Sequence, residues 1–348
     1  MSTRYPEFTT KVWIPEEAIF VNCYGAANWE KYVSNVQHLP DRFVLGDHMF
    51  GFNQHKQNRV LDVLEQHGER TGKTWTVIND QLYPKQVHDN YPHIKLEFNI
   101  GLFERYGALI RMPLRHQYPQ HPDIDFRNFV CSFNGHHALS RRLVPAVLKK
   151  FGWHNQNYVS KHSVWDPAEL DGILMEFTGK DESLYRKFFD MSEEFSQSSN
   201  GFGYERGKHD ANIYNLEHKL TQSFVHLVSE TIATSTIPFV TEKAFYSIIT
   251  RGLFVSYAPP KWYDYFTKIF GFRQYDTLFD HQFDTVENPI HRLIDIMCML
   301  SKYANLSVLD WHDLYQLESD TIEFNYEHFR SGDYIRSLDK YSQENLYY

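Results

Sequence analysis

Ser223-Phe-Val-His-Leu-Val-Ser229, Thr241-Glu-Lys-Ala-Phe-Tyr-Ser-Ile-Ile-Thr250 and Leu253-Phe-Val-Ser-Tyr257 follow one another closely in a chain of 348 residues. The first and last are short, apolar and rich in β-branched or aromatic side chains, and they read as buried strands. The middle segment reads as a helix ended by Gly252, and Pro259-Pro260 breaks the second strand. Strand, helix and strand in this rhythm predict a βαβ unit and a parallel sheet. Toward the C-terminus, Trp262 to Phe270 reads as a helix followed by Gly271. Pro289 to Tyr303 reads as a long amphipathic helix with Pro289 in its first turn. The last ~40 residues read as helical and polar.

The same rhythm extends toward the N-terminus. Phe129-Val-Cys-Ser-Phe133 and Tyr158-Val-Ser160 are expected strands, with a helix over Arg142–Lys150 and Gly152 after it. Glu194 to His209, containing Ser196-Gln-Ser-Ser-Asn-Gly-Phe-Gly203, reads as a mobile loop. Arg115-His-Gln-Tyr-Pro-Gln-His-Pro122 is polar, carries two prolines, and is the expected linker. Before it, Ala18-Ile-Phe-Val-Asn-Cys23 and Phe43-Val-Leu45 are expected strands, with a helix beginning near Trp29. Arg59 to His67 has apolar residues at 60, 61, 63 and 64, which is helical spacing, and Gly68 lies at its expected end. Thr74-Trp-Thr-Val-Ile78 is a strand, with Asn79-Asp80 as the turn. The expectation is two α/β domains, residues 1–120 and 121–348.

Composition narrows the class. With 42% hydrophobic residues, the chain has ample apolar surface for a core. Its 27 Phe, 23 Tyr and 7 Trp mostly fill that core, and some rings can stack on sugars or bases. A net charge of −9 disfavours nucleic acid as a partner. Cys23, Cys131 and Cys298 form no CxxC pair, so neither a zinc site nor a disulfide framework is expected. Reduced thiols fit a cytoplasmic protein. No apolar run approaches the ~18 residues of a membrane span, and Met1 to Glu7 lacks a signal core. The expected location is the cytoplasm of a bacterium or of a virus-infected cell.

Thr241-Glu242-Lys243 is the first candidate site. Thr241 is a good N-cap, and the free N–H groups of a first helical turn favour an anion. In a parallel sheet this is also where ligands bind, outside the carboxyl ends of the strands. Lys243 adds a positive charge, and Glu242 can accept hydrogen bonds from hydroxyls. Taken alone, the segment is also what any capped helix start looks like.

Order along the chain raises it above that. Glu230-Thr231, then Phe239-Val-Thr-Glu-Lys243, then Gly252-Leu-Phe-Val255 resembles the signature block of the α-1,3-fucosyltransferases, glycosyltransferase family 10. Ile100-Gly-Leu-Phe-Glu104 followed by Arg111-Met-Pro-Leu114, and Phe133-Asn134 followed by Arg141, resemble further stretches of that family in the same order. The matched blocks run from residue 100 to 256. Three departures stand out: Phe239 replaces a Tyr, Thr231 an Asn, and Gly135 a Pro.

The resemblance implies the GT-B architecture, two Rossmann-like domains facing a cleft. It implies transfer with inversion and no metal. The co-substrate would be a nucleoside-diphosphate sugar, with a GDP-sugar such as GDP-fucose favoured, and the acceptor a carbohydrate hydroxyl. Lys243 and Arg141, with Arg142 as its competitor, would neutralise the leaving diphosphate. Asn134, Glu230, Phe239 and Thr241 would line the donor site, and Glu242 would bind donor hydroxyls. Glu104 would be the general base, with Glu97 its competitor. Asp47 and His48, after an early strand, are candidates for acceptor contact. Asp123-Ile-Asp125 matches a metal-binding DxD pattern but reads as a solvated loop. Adjacent His136 and His137 diverge too far to share a metal. Two other readings stand beside this one: a hydroxylated base in DNA as acceptor, which the charge disfavours, and a binding module without turnover.

Overall fold

The computed structural model describes residues 19–21, 36–45, 54–79, 85–98, 123–134, 140–153, 158–159, 219–230, 233, 240 and 242–344. The described residues are mixed α/β, with two parallel sheets of four strands each. Its chain divides into Met1–Met112 with Ile335–Tyr348, and Pro113–Tyr334. The expected linker, the helix near Trp29 and the loop Glu194–His209 lie outside the described residues.

In the first unit, β1 (Ile19–Val21), β2 (Arg42–Leu45), α1 (Gln54–Thr71), β3 (Trp75–Asn79), α2 (Lys85–Asn90) and β4 (Ile94–Phe98) follow in order. The strands lie side by side in that same order, all parallel. Phe43, Trp75, Val77, Ile78, Ile94 and Leu96 are buried in this sheet, with Leu61 and Leu64 of α1. Two expectations are corrected here. Asn79 ends β3 rather than opening a turn. Gly68 lies inside α1, not at its end. A Cβ at Gly68 would stand 2.6 Å from the His93 Cβ, so this glycine admits a close approach. Gly72 closes the helix instead, at φ 70°, with its N–H donated to the Gly68 carbonyl at 2.7 Å.

In the second unit, β5 (Asn128–Ser132), α3 (Ser140–Lys150), β6 (Tyr158–Val159), β7 (Ser223–Ser229), α4 (Glu242–Ile249) and β8 (Leu253–Tyr257) form the α/β part. α5 (Trp262–Asp264) widens into a π turn over Tyr265–Ile269, where a plain helix was expected. Then come α6 (Pro289–Leu300), α7 (Val308–Leu317) and α8 (Ser319–Ser331), and after them α9 (Asp333–Glu344), which from Ile335 onward belongs to the first unit. The strand order is β6-β5-β7-β8, all parallel. Every residue of β7 and β8 is buried, as their continuous apolar runs predict.

Helices cover both faces of this sheet. α6 packs on β8 and on α3, while α4 packs on β7, β8 and α8. On the α4 side, aromatic rings join Phe254 to Phe266, Phe266 to Phe272, and Phe272 to Phe245 of α4. α4 ends before Gly252, as expected. The left-handed position belongs to Arg251, at φ 53°, not to Gly252. Gly252 N–H donates to Ser247 O at 2.8 Å and Arg251 N–H to Ile248 O at 3.0 Å, a Schellman pattern. A non-glycine residue there costs about 1–2 kcal/mol. The Arg251 side chain offsets that with hydrogen bonds to both oxygens of Glu323, at 2.8 and 2.9 Å, and by lying 3.5 Å over the Tyr326 ring.

Two buried histidines predict an acid-labile fold. Burial holds the imidazoles of His226 and His281 down to about 4. Unfolding returns each toward its ordinary 6.5, so the unfolded chain binds more protons between those values. Stability therefore falls as pH drops from 6.5 to 4, by on the order of 3 kcal/mol per imidazole. Asp284 acts the other way: burial raises its carboxyl from 3.8 to about 6, so its contribution to stability is lost as pH rises through that range. The expected net loss is on the order of 3 kcal/mol, since Asp284 offsets about one histidine. Urea titrations across this window measure it, and a flat profile would contradict it.

Candidate functional site at the carboxyl edge of the second sheet

In the second sheet the chain leaves β5 in one direction to reach β6 and in the other to reach β7. Such a reversal opens a crevice outside the carboxyl ends of the two central strands, where α/β sheets bind ligands. The described strands of the first sheet run in chain order and show no such reversal.

Four polar residues stand at the ends of β5 and β7. Ser132 Oγ donates to the Leu227 carbonyl at 2.8 Å and ties the two strands together. Asn134 is fully buried, and its Nδ2 donates to Ser132 Oγ at 3.0 Å. Ser229 and Glu230 are each 1% exposed. The Glu230 N–H donates to the Tyr257 carbonyl at 3.0 Å, which extends the pairing of β7 with β8 by one residue. Two of the sequence candidates, Asn134 and Glu230, thus come to one edge although 95 residues separate the strands that carry them, as measured from Ser132 to Leu227.

Helix starts meet the same edge, because α3 follows β5 and α4 follows β7. Arg141 and Arg142 lie in the first turn of α3, and Glu242 and Lys243 open α4. Lys243 is half-buried. The side chains of Arg141, Arg142 and Glu242 fall outside the described residues, as do Asp47, His48, Glu104, Thr231, His136, His137, Phe239 and Thr241.

Two other candidates are engaged elsewhere. Asp123 and Asp125 precede β5 and so stand at the amino edge of the sheet, away from the crevice. Asp125 accepts from Arg127 Nε at 2.7 Å. Glu97, near the end of β4, is bound by Arg42 at 3.0 Å and by Lys95 at 2.7 Å. Partial burial pushes its carboxyl up, but the two cations outweigh that and hold it below the usual glutamate range. A carboxylate so held is a poor proton acceptor, which weakens Glu97 as a base.

The edge also contains residues that no motif singled out. Asp284 is buried and accepts the N–H groups of Trp262 at 3.1 Å and Tyr263 at 3.0 Å. Arg292, 1% exposed in the first turn of α6, donates to the carbonyls of Ala233, Val286 and Glu287. It thereby ties the segment after β7 to the segment before α6. A signal for Arg292 was present: it lies beside Pro289, Leu293 and Ile296 on the helix's apolar face, where a solvated arginine does not belong. Asp284 offered no such signal, since an acid in a polar stretch is usually solvated.

Among the described residues, no group of three or more His, Cys, Asp or Glu converges as a metal site would require. No described helix is long and apolar enough to cross a membrane. No family model, curated protein or solved structure matches the chain, so the reading of this edge rests on its own residues.

Proposed function

We propose that the chain is an inverting, metal-independent glycosyltransferase of GT-B architecture. It moves a sugar from a nucleoside diphosphate to a carbohydrate hydroxyl, with GDP-fucose the donor implied by its signature block. The observation that supports this reading is the switch point. Asn134, Glu230 and the start of α4, which the motif assigns to the donor, come from distant parts of the chain to the carboxyl edge of one parallel sheet.

The chemistry suits such an edge. Glycosyl transfer passes through an oxocarbenium-like state, as glycoside hydrolysis does. Negative charge grows on the departing diphosphate as the glycosidic bond breaks. Helix N–H groups and Lys243 stand at this edge before that charge develops, and the resemblance adds Arg141 or Arg142 to them. They stabilise the transition state more than the ground state. The acceptor hydroxyl loses its proton to Glu104 as it attacks the opposite face of the anomeric carbon.

A donor panel tests the reading. GDP-, UDP-, dTDP- and CMP-sugars are added singly, and thermal shift and slow donor hydrolysis are measured. Binding of at least one nucleoside-diphosphate sugar is expected, and a chain that binds none of them sinks the proposal. Lys243→Ala is expected to weaken that binding about tenfold, as loss of one charge-assisted contact does.

A further inference from the structure

Three polar atoms at this edge are buried and have no hydrogen-bond partner: Ser229 Oγ, the Tyr257 hydroxyl and Arg292 Nε. Buried polar groups are nearly always paired, so each exception calls for a reason. These three lie together. Ser229 and Tyr257 are register partners on β7 and β8. Their side chains therefore leave the same face of the sheet from strands about 5 Å apart. The Arg292 guanidinium lies 6.0 Å from the centre of the Tyr257 ring, so that face is the one α6 covers. Phe254 projects to the other face, toward α4.

Arg292 also has no direct ion-pair partner among the described residues. Its hydrogen bonds go to the carbonyls of Ala233, Val286 and Glu287, which are neutral acceptors. No carboxylate of the described residues pairs with it directly; Asp284 and Glu287 act on it only through space. Burial keeps the Tyr257 phenol protonated. The edge thus holds a fixed cation with N–H groups to spare, and two hydroxyls able to donate. What completes this set is an acceptor that carries negative charge.

We propose that Ser229, Tyr257 and Arg292 form an anion-recognising wall at the switch point, which takes phosphate oxygens of a nucleoside diphosphate. The assignment rests on the donor reading above and extends it. Lys243 belongs to the helix on one face of the sheet and Arg292 to the helix on the other. A diphosphate seated at the edge is then held from both sides.

Tyr257→Phe and Ser229→Ala test this, with GDP and inorganic pyrophosphate as probes in calorimetry and Tm measured without ligand. Each variant is expected to bind both probes about tenfold more weakly, a loss of ~1.4 kcal/mol. Each is expected to melt, without ligand, at the wild-type temperature or above it, because an unpaired buried hydroxyl has been removed. A merely structural hydroxyl would do the reverse, lowering Tm and sparing affinity. A fall in the unliganded Tm, or unchanged affinity for both probes, overturns the assignment and leaves the donor reading intact. A wild-type chain that binds none of the four donors of the panel removes the donor reading, and this assignment with it.

Discussion

Gly252→Ala is expected to destabilise the second unit by about 3 kcal/mol or more, at the upper end of what overpacking a core costs. The added Cβ would stand 2.0 Å from His226 Cε1 and 2.6 Å from Nδ1. Neither side can retreat. His226 sits on β7 between β5 and β8, is 2% exposed, and its Nε2 donates to the Leu220 carbonyl at 2.9 Å. Gly252 opens directly into β8, whose backbone is paired along its length with β7. Gly72→Ala is the control, because it has the opposite problem: a left-handed φ of 70° but nothing within 4 Å of the new methyl. Its cost should be about 1–2 kcal/mol. Urea unfolding of the two variants separates crowding from backbone strain. Equal losses would show that the His226 ring does not press on Gly252.

Glu104→Gln is expected to lower sugar transfer by about 10²–10⁴-fold while leaving nucleoside-diphosphate binding unchanged. The substitution keeps the shape of the side chain and removes only its ability to take a proton. Its effect should therefore appear in kcat, not in donor affinity. Glu97→Gln is the comparison. Glu97 already serves Arg42 and Lys95 in the first sheet, so its loss should touch stability and leave transfer near the wild-type rate. Transfer retained by the Glu104 variant and lost by the Glu97 variant would exchange the two roles.

The sheets were largely legible in the sequence, and the failures have physical causes. Ser223–Ser229 and Leu253–Tyr257 are recovered residue for residue, because strands buried on both faces leave long apolar runs. β4 was readable but unread: Ile94-Lys-Leu-Glu-Phe98 alternates strictly, the mark of a strand with one face in water. Gly68 departs from the expected helix end, while Gly252 follows its helix as expected. Both look like helix stops; Gly252 is one and Gly68 is not, and both also admit a neighbouring histidine ring. Space, unlike a turn, leaves no local signal. The order β6-β5-β7-β8 was hidden too, since nothing in a crossover segment says to which side of the first strand it returns. Of the candidate site, the motif residues Asn134 and Glu230 were found by order along the chain. Arg292, Ser229 and Tyr257 were not, because their interest lies in what their neighbours fail to supply.

The two sheets should also form at different speeds. In the first, each strand pairs with the strand that precedes it in the chain, so every pairing closes a short loop. In the second, β7 must find β5 across a separation of 95 residues before the central pair exists. Closing a loop costs entropy that grows with its length, and that cost falls before the pairing can repay it. The first sheet can therefore fold early, while the crevice at the end of β5 exists only once the chain has returned as β7. The candidate site is, on this account, among the last features of the protein to form.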